Sequence, residues 1–387
     1  MKKSYLMIAA AATLLTACMG TDTFKDVDTQ ETAIAFDQAT NKTTRAFISD
    51  KSDLADEHGF VVYGYKTLNN WTSIAQTVFN ETNVFSSDNG TTWSYTNLRF
   101  WDKTGKYNFY AVAPFTPTDN ATYGINTATL TSGDDGYDEN SPLNNSKFGF
   151  ITITGAASNK NADSDDYLLA RGGVLGELGS DHSSPNTNNP VTFDFHHVMT
   201  KVEIKLKSTL DISNGTIKVT RLKITGWNSN TGTFVQNSAT NPTTLTNTEW
   251  TIAAQSPLAG DFTLVGTNCT QTEVVIPCDK NSSAENIKNV TDFCIMVPQN
   301  IAANQLKFTL DFTYYHDENE THTETLSDDY TESFPNQEAT VTTAQTWGTD
   351  SHIIYTLDVK PAAITFDVDE ICGFDAYTQN YGPFIIE

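Results

Sequence analysis

Apolar and polar residues alternate along most of this chain, and helical periodicity is almost absent. The stretch QLKFTLDFTYY sets Leu306, Phe308, Leu310, Phe312 and Tyr314 on one face, with Lys307, Thr309, Asp311 and Thr313 on the other. KVEIKLK repeats the pattern, with Val202, Ile204 and Leu206 inward and the charged Lys201, Glu203, Lys205 and Lys207 outward. Segments of this kind read as half-buried antiparallel strands. In IKVTRLKIT the apolar set moves from Ile217 and Val219 to Leu222 and Ile224, a slip that a bulge near Thr220 and Arg221 would produce.

Alternation also reaches toward both ends. TAIAFD (32–37) puts Ile34 and Phe36 on one face, and ATNKTT (39–44) then breaks the pattern with polar turn formers. At the other end, HIIYTLDV aligns Ile353, Tyr355, Leu357 and Val359, and AAITFDV aligns Ile364, Phe366 and Val368. The terminal PFIIE adds Phe384, Ile385 and Ile386. An apolar end segment is expected either to complete its own sheet or to be given to a neighbour as an added strand. Between about residues 130 and 190 the pattern gives way to Asp, Asn, Ser and Gly, and SDHSSPNTNNP (180–190) reads as a linker. The expectation is an all-β chain of two tandem antiparallel β-sandwich domains, 46–190 and 191–387, the second including a tail from about 352.

The N-terminus changes the picture. MKKSYLMIAAAATLLTAC has two lysines, an apolar run and small residues before Cys18. The run is shorter than the roughly 18 residues a membrane span needs, so it reads as a secretory signal over residues 1–17. Leu15, Thr16, Ala17 and Cys18 resemble the bacterial lipobox, which makes Cys18 the expected lipidation site. A formal charge of −24, from 23 basic and 47 acidic residues, argues against a nucleic-acid partner, because counterion release needs a basic footprint.

Candidate chemistry is sparse. GxSxG, HExxH, P-loop and GxGxxG patterns are absent from the sequence, so neither catalytic residues nor a cofactor are expected. His196 and His197 fall on opposite faces of one strand, which suits one packed and one exposed imidazole better than a shared metal. SGDDGYDEN (132–140) and NADSDD (161–166) lack the spacing of an EF-hand loop and read as solvated loops. Trp93, Tyr95, Phe100, Trp101, Tyr107, Phe109 and Tyr110 alternate as core residues would. Cys269, Cys278, Cys294 and Cys372 show no CxxC spacing, so no metal site is expected; a Cys269–Cys278 staple and free thiols both remain open. The chain has four arginines: Arg45 in the polar NKTTRAF, Arg99 and Arg221 in expected strands, and Arg171 in LLARGG, where a loop is possible.

Taken in order, the lipobox, TTRAF, FVVYGY (60–65), RFWDKTGKYNFYAVAP (99–114), DDYLLA (165–170), VTFDFHHVMTKVEI (191–204), VPQN (297–300) and the tail WGTDSHIIYTLDVKPAAITFDV resemble the Bacteroidales fimbrillins, the pilins of type V pili. The resemblance implies transthyretin-like, Greek-key sandwiches and a non-enzymatic subunit that reaches the outer membrane as a lipoprotein. It further implies that an Arg-specific or trypsin-like protease cuts between Arg45 and Ala46, releasing residues 18–45 with the plug strand of Ile34 and Phe36. A C-terminal donor strand of another fimbrial subunit, drawn from Ile353, Tyr355, Leu357, Ile364, Phe366, Val368, Phe384, Ile385 and Ile386, then fills the groove, and repetition builds a surface fimbria. The alternatives are a tip or accessory adhesin that binds a glycan or protein, and a surface lipoprotein unrelated to pili, such as a glycan-processing enzyme.

Overall fold

Period-two alternation of branched and aromatic residues commits the chain to strands, and the computed structural model is built almost wholly of them. It describes residues 33–39, 51–56, 58–67, 74–101, 106–115, 123–126, 150–158, 166–172, 190–212, 215–235, 250–252, 259–278, 286–316, 330–361 and 364–373. One seven-stranded sheet contains β1 (Phe36–Ala39), β2 (Phe60–Thr67), β3 (Ile74–Phe85), β4 (Ser94–Tyr95), β5 (Lys106–Ala113), β8 (Leu168–Gly172) and β9 (Val191–His197), in the order β1-β9-β8-β5-β2-β3-β4. A four-stranded sheet, β13-β12-β7-β6, is made of β6 (Tyr123–Asn126), β7 (Phe150–Ala156), β12 (Thr231–Val235) and β13 (Trp250–Ile252). A short helix, α1 (Lys51–Asp56), places Leu54 in the core beside the larger sheet.

Two five-stranded sheets follow. One holds β10 (Thr200–Lys207), β16 (Lys288–Asn289), β17 (Cys294–Met296), β22 (Ser351–Val359) and β23 (Ile364–Gly373). The other holds β11 (Gly215–Trp227), β14 (Ala259–Val265), β15 (Val274–Pro277), β19 (Lys307–His316) and β20 (Tyr330–Thr340). A two-stranded ribbon pairs β18 (Gln299–Ile301) with β21 (Gln345–Trp347). The inward faces of the two five-stranded sheets share one core, including Val202, Ile204 and Leu206 from β10, Ile353, Tyr355 and Leu357 from β22, and Phe308, Leu310 and Phe312 from β19. The strands are antiparallel except for β1 with β9 and β10 with β22, which run parallel among the described residues. The bulge expected in β11 is present: register against β19 shifts between Val219 and Arg221. There Arg221 Nη2 donates to Asp311 Oδ1 at 2.9 Å and to Asn336 Oδ1 at 2.6 Å.

Four expectations need correction. The boundary expected at residue 190 falls one strand early, because β9 belongs to the N-terminal sheet while β12 and β13 from beyond it pair with β7. The two halves are also knit together: Val61, Tyr63, Tyr110 and Leu169 share a core with Phe234, Trp250, Ile295 and Val297. Lys201 keeps the outer face but is 1% exposed rather than solvated, its ammonium 2.7 Å from Glu203 and 4.4 Å from the centroid of the Phe293 ring, because Phe293 covers this end of β10. Arg99 lies in the connection after β4 rather than in a strand, with the side chain bonded back to the carbonyls of Val78 and Asn97. Finally, Phe100 is 44% exposed and not a core residue, whereas Trp101, Tyr107, Phe109 and Tyr110 are buried.

Candidate functional site

The seven-stranded sheet would be open at two edges were it not for residues 33–39. On one side of this segment β1 pairs parallel with β9, Phe36 opposite Val191 and Ala39 opposite Asp194. On the other side Ala33 forms an antiparallel bridge with Phe100, and the Ile34 amide donates to the Arg99 carbonyl at 2.8 Å. The segment is therefore the closing stave between β9 and the chain that follows β4. Bonds on both flanks satisfy the backbone groups that an open edge would leave unpaired.

Its side chains follow the period of two. Ile34 is 1% exposed and Phe36 5%, while Ala35 between them faces outward. The Phe36 ring meets Phe79 at 5.2 Å, Tyr95 at 5.4 Å, Phe193 at 5.7 Å and Phe109 at 6.0 Å, centroid to centroid. Such contacts add to the free energy of burying the ring. The slot is thus an aromatic pocket flanked by two strand edges.

Polar groups fix the register. The Tyr95 hydroxyl donates to the Ile34 carbonyl at 2.7 Å and accepts the Arg99 amide at 3.3 Å. Partial burial raises the Tyr95 pKa, which keeps the hydroxyl a neutral donor. The Val191 amide donates to the Ala35 carbonyl at 2.7 Å. Lys51 at the start of α1 meets Asp37 at 2.7 Å. That pair is well exposed, so it contributes more to register than to stability. The turn joining β3 to β4, which delivers Tyr95 to the slot, is organised by Asp88: its carboxylate accepts the Thr92 hydroxyl, the Thr92 amide and the Ser86 hydroxyl, and these bonds lower its pKa to about 2.

Other sequence-derived candidates are placed as follows. Cys18, Arg45, Ala46, Phe384, Ile385, Ile386 and the acidic loop 132–140 lie outside the described residues, as do all but Asp166 of 161–166. Arg171 is inside β8, opposite Tyr110 of β5 and Asp194 of β9, so its backbone is paired on both sides. Ile353, Tyr355 and Leu357 are at most 1% exposed on β22, between β10 and β23. Reading these three as donor residues is corrected, since giving β22 away would remove a central strand and its core. Ile364, Phe366 and Val368 are on β23, the edge strand of that sheet. His197 is buried with its Nδ1 2.7 Å from Asp166, and His196 is half-buried between Asp194 and Asp350. Cys278 and Cys294 are free thiols, the Cys269 Sγ donates to the Thr263 carbonyl at 3.3 Å, and burial pushes the Cys278 thiol up to about 11. The sequence reading missed Tyr95, Arg99 and Lys51 as slot residues, because their role arises from contacts across the closed sheet.

Comparison with known proteins bears on this architecture. A family model described as fimbrillin-like matches residues 44–371. A fimbrium subunit, Fim1C, from Phocaeicola vulgatus is 29% identical over 233 residues, covering 57% of this chain and 56% of its own length, so the chain spans about half the length of the curated relative it matches. Among solved structures, a fimbrial protein from Bacteroides vulgatus has the same fold, with a TM-score of 0.59 and 20% identity over 89% of this chain and 99% of that one.

Proposed function

This chain belongs to the fimbrillin-like family, and from that premise we propose that it is a structural subunit of a cell-surface fimbria activated by removal of its own closing stave. In this reading the precursor is held at the outer membrane by lipid on Cys18. An Arg-directed protease cuts between Arg45 and Ala46, residues 18–45 depart, and a strand from another fimbrial subunit takes the vacated slot. The observation that carries the reading is the seating of residues 33–39, bonded on both flanks with Ile34 and Phe36 buried upstream of Arg45.

The physical chemistry is that of an interrupted sheet. Loss of the stave exposes the backbone edge of β9, the edge at Arg99 and Phe100, and the pocket of Phe79, Tyr95, Phe109 and Phe193. An unpaired edge beside an apolar groove is a template for strand addition. Refilling the two pockets alone returns roughly 1.5–3 kcal/mol per side chain. A contact that gives a strand from one end and accepts one at the other does not close, so it produces a fibre. Proteolysis is the switch, because the slot is occupied until the cut. The chain itself needs no catalytic residue for this.

The test treats lipid-free precursor with an Arg-specific protease and examines it unboiled on a denaturing gel. Heat-labile ladders are expected from the wild type and none from Arg45→Ala. If the cut protein stays monomeric at high concentration, the polymerising reading fails and the tip or accessory adhesin takes its place.

A further inference from the structure

Folding shields the described arginines from a protease in two different ways. Arg171 lies inside β8 and Arg221 inside β11, and each of these strands is paired on both sides, so the body of the protein itself closes their peptide bonds. Arg99 stands instead in the exposed connection after β4, between Leu98, 59% exposed, and Phe100, 44% exposed. Among the described residues this connection pairs with no strand of the body, and its strand-type partner is the closing stave. The carbonyl of the Arg99–Phe100 peptide accepts the Ile34 amide at 2.8 Å, and Phe100 is bridged to Ala33. The Arg99 amide donates to the Tyr95 hydroxyl, which in turn holds the Ile34 carbonyl. The guanidinium is folded back on the surface, Nε onto the Val78 carbonyl at 3.3 Å and Nη1 onto the Asn97 carbonyl at 3.1 Å.

Resting on the reading of residues 33–39 as a removable stave, we infer that the Arg99–Phe100 bond is a second Arg-directed cleavage site, closed while the slot is filled and open when it is empty. A protease takes its substrate as an extended segment with free main-chain groups, which exposed connections supply and paired edges do not. Departure of the stave takes the Ile34 amide from the scissile carbonyl and Ala33 from Phe100, and Arg99 is then held by side-chain bonds at the surface alone. Hydrolysis adds one water across the peptide, leaving a carboxylate on Arg99 and an amine on Phe100. The cut falls on the flank of the slot and parts β4 from β5, so a chain cut there no longer offers the edge that a strand would join. The specificity that matures the chain at Arg45 thereby removes subunits whose slot stands empty and spares those whose slot is occupied.

The test uses dilute, lipid-free precursor in which Arg45→Ala keeps the stave covalently attached, so that neither maturation nor assembly enters the result. An Arg-specific protease is added, and fragments ending at Arg99 are followed over time by mass spectrometry, in this chain and in one that also carries Phe36→Ala. Where opening and reclosing are fast relative to cleavage, the rate of cutting follows the open fraction. Loss of the Phe36 ring raises that fraction by about a hundredfold or more. Cleavage at Arg99 is expected to rise with it while Arg171 and Arg221 stay uncut, and Arg99→Lys, which keeps the charge, is expected to remove the fragment. Equal rates at Arg99 in the two chains overturn the inference. So do cuts at Arg171 and Arg221 that grow in step with the cut at Arg99, because they report unfolding of the whole body. These outcomes are separate from those of the ladder assay: ladders formed by a chain whose Arg99 is insensitive to the stave sink this inference alone, whereas a stave-gated cut at Arg99 without ladders upholds it and sinks the assembly reading.

Discussion

Replacing Phe36 by alanine in the uncut, lipid-free precursor isolates how much of the slot's closure rests on one ring. Phe36 is 5% exposed and packed among Phe79, Tyr95, Phe109 and Phe193. Truncating such a phenylalanine costs about 3–5 kcal/mol. The loss falls on the state in which residues 33–39 are docked and not on the state in which they have swung out, so it appears as easier opening of the slot. At about 1.4 kcal/mol per tenfold, the open fraction rises by roughly two to three and a half orders of magnitude. Native-state hydrogen exchange reads this at the Val191 amide, whose partner in the closed form is the Ala35 carbonyl. Exchange there is expected to accelerate by that factor while amides of β11 and β19 keep their rates, and the variant is expected to oligomerise without protease. An unchanged Val191 rate, or an equal acceleration in β11 and β19, refutes the reasoning.

Three further outcomes follow from particular contacts. Burial by itself disfavours the charge on Glu203, but the His352 imidazole at 3.2 Å and the Lys201 ammonium at 2.7 Å outweigh it and hold the pKa at about 2 against an ordinary 4.5. A depressed carboxyl contributes its stability fully above its ordinary pKa and loses it as pH falls toward the folded value, here an effect on the order of 3 kcal/mol. The gap in urea midpoint between wild type and Glu203→Gln should therefore be widest near neutral pH and shrink below about pH 4.5. Gly226→Ala should lower the unfolding free energy by about 1–3 kcal/mol through backbone strain at φ +96°, and by more through the clash of a Cβ with the Gln305 carbonyl oxygen, read from the denaturation midpoint. Gly266→Ala, at φ +135° with the nearest atom 3.5 Å away, should pay the backbone strain without the clash and so cost less. An Arg-specific protease acting on folded protein should leave the Arg171–Gly172 bond intact, since β8 is paired with both β5 and β9; peptide mapping of the digest checks this.

Much of the local structure could be read from residue order. The alternation in β19, the inward set of β10 and the slip in β11 all appear where the pattern puts them. Lys201 shows where such reading stops: period two assigns it the outer face, and it does lie there, but Phe293 covers that face and leaves it 1% exposed. Arg99 shows the opposite error, an apparent strand residue that belongs to a connection, because RFW lies beside a strand-like run without being part of one. The tail divides for a similar reason. HIIYTLDV and AAITFDV alternate equally well, yet one is a central strand and the other an edge.

By itself the sequence determined which residues form strands and which side chains share a face, since both depend on the two-residue repeat of an extended backbone. It also set Ile34 and Phe36 on one side of a short segment between Cys18 and Arg45. The partner of each strand was decided only by the tertiary structure. Pairing is a contact between residues distant in the chain, and an alternating strand fits any edge that offers backbone groups and an apolar face. Closure over the aromatic core therefore brought residues 33–39 between β9 and Phe100, parallel to one and antiparallel to the other, and turned a stretch of alternating residues into the stave that holds the sheet shut.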